Sequence, residues 1–215
     1  RVALKDLEIR GAGNLLGGEQ SGHIADVGFD LYMRMVGEAV HEYKSGIIES
    51  AEPNHECKVE LPINAHLDAT YVPGERLRLD LYRRLADVRN GEDVLAIEEE
   101  LIDRFGVLPE EAQTLLGVAA LRAFAKSISL REVVAQGKFV RLSPMNLPES
   151  KQLKLARMYP GSLYKSASST VLVALPKSSA WNPSESTAPI VDTSLLAWVT
   201  QVVTELAPTS KGSSE

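Results

Sequence analysis

At 215 residues, 44% hydrophobic and 24% charged, the chain can bury a core of its own, and no apolar run approaches the ~20 residues of a membrane span. The lone cysteine, Cys57, excludes an internal disulfide and suits a reducing cytoplasm, while His23, His41, His55 and His66 show no metal-ligand spacing. The net charge of −6 is uneven, with −3 over residues 1–50, −6 over 51–135 and +3 over 136–215; the acidic middle is unsuited to DNA and fits either a basic protein partner or a solvated surface.

The chain opens at Arg1 without an initiator Met, as expected of a piece cut from a longer protein. A run with five glycines follows, from Asp6 to Gly22. Glycine reaches backbone angles that other residues avoid, so such a run makes tight turns or lies close to another surface. A phosphate-binding P-loop needs Lys and then Ser or Thr after its last glycine; here Gly18 leads into Glu19-Gln20-Ser21. A dinucleotide loop needs a strand before it and a helix straight after it, and neither is visible. Arg10 stands at the mouth of the run. Its guanidinium either links a carboxylate or phosphate to a moving element or braces the loop on backbone carbonyls.

From about Ile24 to Tyr43 the periodicity becomes helical, with Phe29, Tyr32, Val36, Val40 and Tyr43 on one stripe and Ser45-Gly46 closing it. Residues 45–56 then read as a linker. Cys57, Val59 and Leu61 alternate with charged neighbours, the pattern of a half-buried strand, and Pro62 ends it. After the Pro73-Gly74 turn, Leu77, Leu81, Leu85 and Val88 predict a helix over 75–89, closed by Asn90-Gly91. The next helix is predicted over 92–105. Val94, Leu95, Ile97, Leu101, Ile102 and Phe105 form its apolar face and Glu92, Glu99, Glu100 and Asp103 its acidic one. Glu98 points to the apolar side, where Arg104 or Arg84 is its expected partner. Acids on a helix's C-terminal half oppose the macrodipole, which marks Glu99, Glu100 and Asp103 as candidate docking residues; a solvated acidic face is the plainer reading.

Gly106 is the expected left-handed residue that stops this helix, and Pro109 with Glu110 and Glu111 starts another. Ala112, Leu115, Leu116, Ala119 and Ala123 give the new helix a small-residue face, with Tyr82, Phe105 and Phe124 expected to meet in one core. Residues 128–135 and 138–142 flank Gln136-Gly137 as a β-hairpin. A short basic helix over 150–158 carries Lys151, Lys154 and Arg157; without interleaved aromatics it is read as a solvated face, not a nucleic-acid site. Two strands over 162–165 and 170–175, a Ser/Pro-rich loop over 177–189 and a final helix through Leu195, Trp198, Val199, Val202 and Leu206 complete the domain. A disordered tail is expected over 209–215.

Three stretches carry a family resemblance. Arg10-Gly11-Ala12-Gly13, Gly17 and Gln20-Ser21-Gly22 resemble the translocation motif shared by the RecG helicase and the bacterial transcription-repair coupling factors (the Mfd family). Val27-Gly28-Phe29-Asp30-Leu31-Tyr32 and Glu100-Leu101-Ile102-Asp103-Arg104-Phe105-Gly106 resemble the coupling factors in particular, and the likeness is dense from Arg1 to about Phe124. The resemblance implies four parts: the end of the translocation motif over 1–23, a connecting helix and linker over 24–55, a C-terminal regulatory domain over 56–208 and the tail. It implies an α+β fold, helices packed with a small, mostly antiparallel sheet. By the same likeness Arg10 and Gln20 couple nucleotide hydrolysis to movement on double-stranded DNA. ATP and magnesium belong to the motor lobes of the parent, and no cofactor is expected here.

The expected work of the piece is autoinhibition in the cytoplasm. It docks on the UvrB-like N-terminal module of the same protein and masks the surface that recruits UvrA, until the parent meets a stalled RNA polymerase. Neither a Ser-His-Asp arrangement, nor paired carboxylates in an apolar setting, nor a metal cluster is visible, so no catalytic residue is assigned. The alternatives are the C-terminal part of a RecG-like branch-migration helicase, which a long domain after the motif disfavours, and a stand-alone enzyme of unknown chemistry.

Overall fold

A computed structural model describes Met33 and residues 57–175 and 193–208. Arg10, Gln20, the glycine run and the Ser/Pro-rich stretch lie outside the described residues. The elements, in chain order, are β1 (Lys58–Glu60), α1 (Glu75–Asp87), α2 (Gly91–Phe105), α3 (Glu110–Ser127), β2 (Glu132–Gln136), β3 (Phe139–Ser143), α4 (Glu149–Met158), β4 (Leu163–Lys165), a single 3-10 turn (Ser166–Ser168), β5 (Thr170–Ala174) and α5 (Thr193–Leu206). The fold is α+β, as expected.

The strands form one sheet in the order β1-β2-β3-β5-β4. β1 runs parallel to β2, with Val59 opposite Val133; every other pairing is antiparallel. A parallel neighbour requires a long crossover, and the three helices α1 to α3 supply it. The predicted β2–β3 hairpin is present, but it turns at Gly137-Lys138, one residue later than the expected Gln136-Gly137, and residues 128–131 precede the strand instead of starting it. Period-two alternation puts Val133, Val140, Leu142, Val171 and Val173 on one face of the sheet, all buried.

Helix α3 lies against that core. Its small-residue face is buried as predicted, and it packs on α1, α2, β1 and α5. The approach of α5 is close: a Cβ on Gly117 would stand 2.6 Å from a terminal carbon of Leu196. α5 buries Leu195, Leu196, Val199, Val202, Val203 and Leu206, which places the C-terminal periodicity where it was expected. Its last carbonyls, on Glu205 and Ala207, accept hydrogen bonds from the Lys151 ammonium, and Lys154 pairs with the Glu205 carboxylate at 3.4 Å. Two of the three basic groups of α4 thus close the end of another helix. A cation at a helix C-terminus meets unsatisfied carbonyls and the negative end of the macrodipole.

Arg122 of α3 is buried and joins three segments, donating to the carbonyls of Cys57 and Ala86 and to the sulfur of Met33. Met33 is helical and half-buried against the core, the one described residue of the predicted connecting helix.

Three local expectations are corrected. Asn90-Gly91 opens α2 and does not close α1, because the Asn90 side chain accepts from the Asp93 N–H as an N-cap. Gly106 takes φ 85° with ψ −154°, a region open to glycine but outside the left-handed helix basin, and its N–H still reaches the Ile102 carbonyl at 2.9 Å. Phe105 stacks edge-on against Tyr71, with centroids 5.8 Å apart. Tyr82 is buried in the core cluster against which Phe105 and Phe124 pack, as expected, its hydroxyl accepting from the Leu67 N–H at 2.9 Å. The third correction concerns α2 itself.

Candidate docking surface

Helix α2 holds every docking residue predicted within the described part of the chain. It starts on the Asn90 cap and on Glu92 and Asp93, acids that suit a helix N-terminus. It packs on α3 and buries Val94, Ile97 and Leu101 in the core. Its far end is pinned from outside the helix, since the Tyr71 hydroxyl lies 3.2 Å from the Leu101 carbonyl and 3.1 Å from that of Gly106. α2 is therefore a fixed platform, held at both ends.

The predicted apolar face is too wide. Leu95 is 57% exposed and Ile102 46% exposed, although the sequence groups both with the core residues. The cause is angular. Each follows a buried residue, Val94 or Leu101, and one step along an α-helix rotates the side chain by about 100°. A helix laid on one neighbour covers only one member of each such doublet. The doublets Val94-Leu95 and Leu101-Ile102, seven residues apart, were the signal available in the sequence.

The three acids separate into two kinds. Glu100 is clamped: Arg84 Nη2 on α1 donates to one carboxylate oxygen at 2.6 Å, and Arg104 Nη1, one turn along α2, donates to the other at 2.7 Å. These two hydrogen bonds, that from Arg84 foremost, hold the Glu100 carboxyl below the usual carboxylate range, and the one to Glu100 raises Arg84. Arg104 also lies over the Phe105 ring, 5.2 Å from its centroid. The guanidiniums expected to meet Glu98 thus go to Glu100. Glu99 and Asp103 are exposed. On a helical projection they fall on the outward face beside Leu95 and Ile102. The structure brings Glu99 and Asp103 together on an open face and commits Glu100 to fastening α1 to α2.

The acidic helix and its Arg clamps sit within residues 61–155, which match the TRCF domain family. The chain is 44% identical to the transcription-repair-coupling factor of Mycobacterium tuberculosis over an alignment that covers 96% of this chain and 17% of that protein. The chain belongs to the transcription-repair coupling factor family. The coupling factor of Staphylococcus epidermidis is 39% identical over 66% of this chain and 12% of its own length. The chain thus spans less than a fifth of the coupling factors it matches. A solved C-terminal domain of a transcription-repair coupling factor shares the fold, with a TM-score of 0.55 over 70% of this chain and 91% of that one, at 16% identity. Among the described residues no helix is long and apolar enough to cross a membrane, and no group of His, Cys, Asp and Glu is arranged to hold a metal ion.

Proposed function

We propose that this part of the coupling factor is an autoinhibitory docking domain. It binds the UvrB-like N-terminal module of its own parent through the outward face of α2 and so masks the surface that recruits UvrA. The observation that carries this reading is the sorting of acids on α2: Glu99 and Asp103 face solvent on a helix pinned at both ends, while the neighbouring Glu100 is consumed by Arg84 and Arg104. Exposed carboxylates on a rigid element suit a basic partner, and pairing of this kind fixes register and stays salt-sensitive enough to release. The lock is a two-state equilibrium, and a docking free energy of ~3 kcal/mol keeps the closed form above ~99%.

In the same reading, the parent uses ATP and magnesium to move on double-stranded DNA and displace stalled RNA polymerase in the cytoplasm. Arg10 and Gln20 transmit motor movement, and this piece catalyses nothing by itself. The test is UvrA binding by the full-length parent carrying Glu99→Arg and Asp103→Arg, with no polymerase present. Charge reversal is expected to open the lock and raise UvrA binding at least tenfold. UvrA binding equal to wild type refutes the masking role, and ATP hydrolysis by the 215-residue chain alone refutes the non-catalytic one.

A further inference from the structure

Arg122 is 6% exposed, yet its guanidinium stays charged at any ordinary pH. A buried charge is costly unless its N–H groups find acceptors. Two acceptors belong to the domain itself. Nε donates to the Cys57 carbonyl at 3.2 Å, just before β1, and Nη1 to the Ala86 carbonyl at 3.3 Å in the last turn of α1. These contacts tie β1 and α1 to α3, and the Ala86 carbonyl lies at the negative end of its helix. The third acceptor is different. The Met33 sulfur, 3.4 Å from Nη1, belongs to a residue 89 positions earlier in the chain, on the far side of the predicted linker. Met33 also packs half-buried against the core, and a thioether is a weak acceptor, so shape and polarizability hold it there as much as the hydrogen bond. In the sequence it stands four residues after Phe29 and three before Val36, on the apolar stripe predicted for the connecting helix. Such a stripe needs a surface to bury it.

We propose that the domain grips the preceding segment at this point, with Arg122 as the seat and the Met33 side of the apolar stripe as its occupant. The inference is independent of docking through α2. A purely internal role for Arg122, capping α1 and holding β1, does not call for Met33. With Met33 seated, one guanidinium joins the segment that follows the glycine run to α1, α3 and β1 together. The domain is then not a free tether's load. Displacement of the segment is felt inside the domain, and by reciprocity a change at the end of α1 alters how firmly the segment is held.

The test is hydrogen peroxide oxidation of the whole 215-residue chain, followed at each methionine by mass spectrometry. Met158, 41% exposed, is the open reference and Met145, 4% exposed, the closed one. In wild type, Met33 is expected to oxidise at least ~threefold more slowly than Met158. Arg122→Gln keeps a donor for the domain's own carbonyls but falls short of Met33. In that variant Met33 is expected to approach the Met158 rate while Met145 stays protected. A role confined to the domain's interior would lower the melting temperature and leave Met33 protected. Should Arg122→Gln fail to fold, Met33→Lys decides. It sets an ammonium against the guanidinium without altering the domain, and amide exchange over 24–43 is expected to rise at least ~tenfold. The proposal is overturned by any one of three results: Met33 oxidising as fast as Met158 in wild type, protection of Met33 retained in Arg122→Gln, or unchanged exchange over 24–43 in Met33→Lys.

Discussion

Replacing Glu100 by Ala should loosen the domain more than it loosens a partner. The carboxylate holds α1 to α2 through Arg84 and braces Arg104 one turn along its own helix. Side-chain exposures of 28% for Glu100, 40% for Arg84 and 44% for Arg104 mean that water screens both contacts. Each is therefore worth a surface ion pair, with the i,i+4 contact near ~0.4 kcal/mol and the better-ordered cross-helix contact near the upper end of the usual 0.2–1 kcal/mol range. Together they predict a loss of about 1 kcal/mol, or a fall of ~2–4 °C in melting temperature for a domain of this size. A double-mutant cycle of Glu100→Ala with Arg84→Ala should return a coupling of ~0.5–1 kcal/mol that shrinks in high salt. The pH dependence has a definite sign. Glu100 is held below its ordinary value in the folded state, so its contribution is present above the unfolded carboxyl's pKa and disappears as pH falls through the folded one. Wild type and Glu100→Ala should therefore differ in urea stability at pH 7 and converge in acid. The reasoning is refuted if Glu100→Ala melts within 1 °C of wild type and yet abolishes binding of the UvrB-like module, because Glu100 would then be a contact and not a clamp.

Two further expectations concern the other end of the domain and its core. Lys151→Met keeps the aliphatic stem but removes the donor to the Glu205 and Ala207 carbonyls, so it should cost ~1–2 kcal/mol in urea unfolding and speed amide exchange in the last turn of α5. Unchanged exchange there would show that Lys154 and the apolar face hold the helix without it. Burial pushes the Cys57 thiol from 9.0 to about 11, so it should resist a thiol reagent in the folded chain and react at the rate of unfolding. A raised thiol pKa stabilises the fold below the unfolded value. Stability should decline as pH rises from 9 towards 11, by at most ~1.4 kcal/mol per pH unit from this group. Rapid labelling at neutral pH would contradict the burial of Cys57.

The elements whose periodicity reports a single neighbour were legible in the chain. Val59 between charged residues marked β1, the small-residue face of α3 marked its buried side, and Leu195 to Leu206 marked α5. The basic groups of α4 were not legible. Lys151 and Lys154 read as a solvated face, because nothing local shows that the end of a helix some fifty residues later arrives beside them. Spacing along α2 favours Glu100, four residues before Arg104, over Glu98, six before it, but nothing along the chain shows which acid an arginine of α1 will join. Packing of α1 beside α2 gave Arg84 to Glu100.

By itself, then, the sequence determined the element types, the buried periodicities and the family, because each depends on spacings within one helix, one strand or one motif. Tertiary structure alone decided which side of α2 is open. The doublets Val94-Leu95 and Leu101-Ile102 are equally apolar along the chain. A helix packed on one side buries only the residues that face the core, which are Val94 and Leu101, and leaves Leu95 and Ile102 outside.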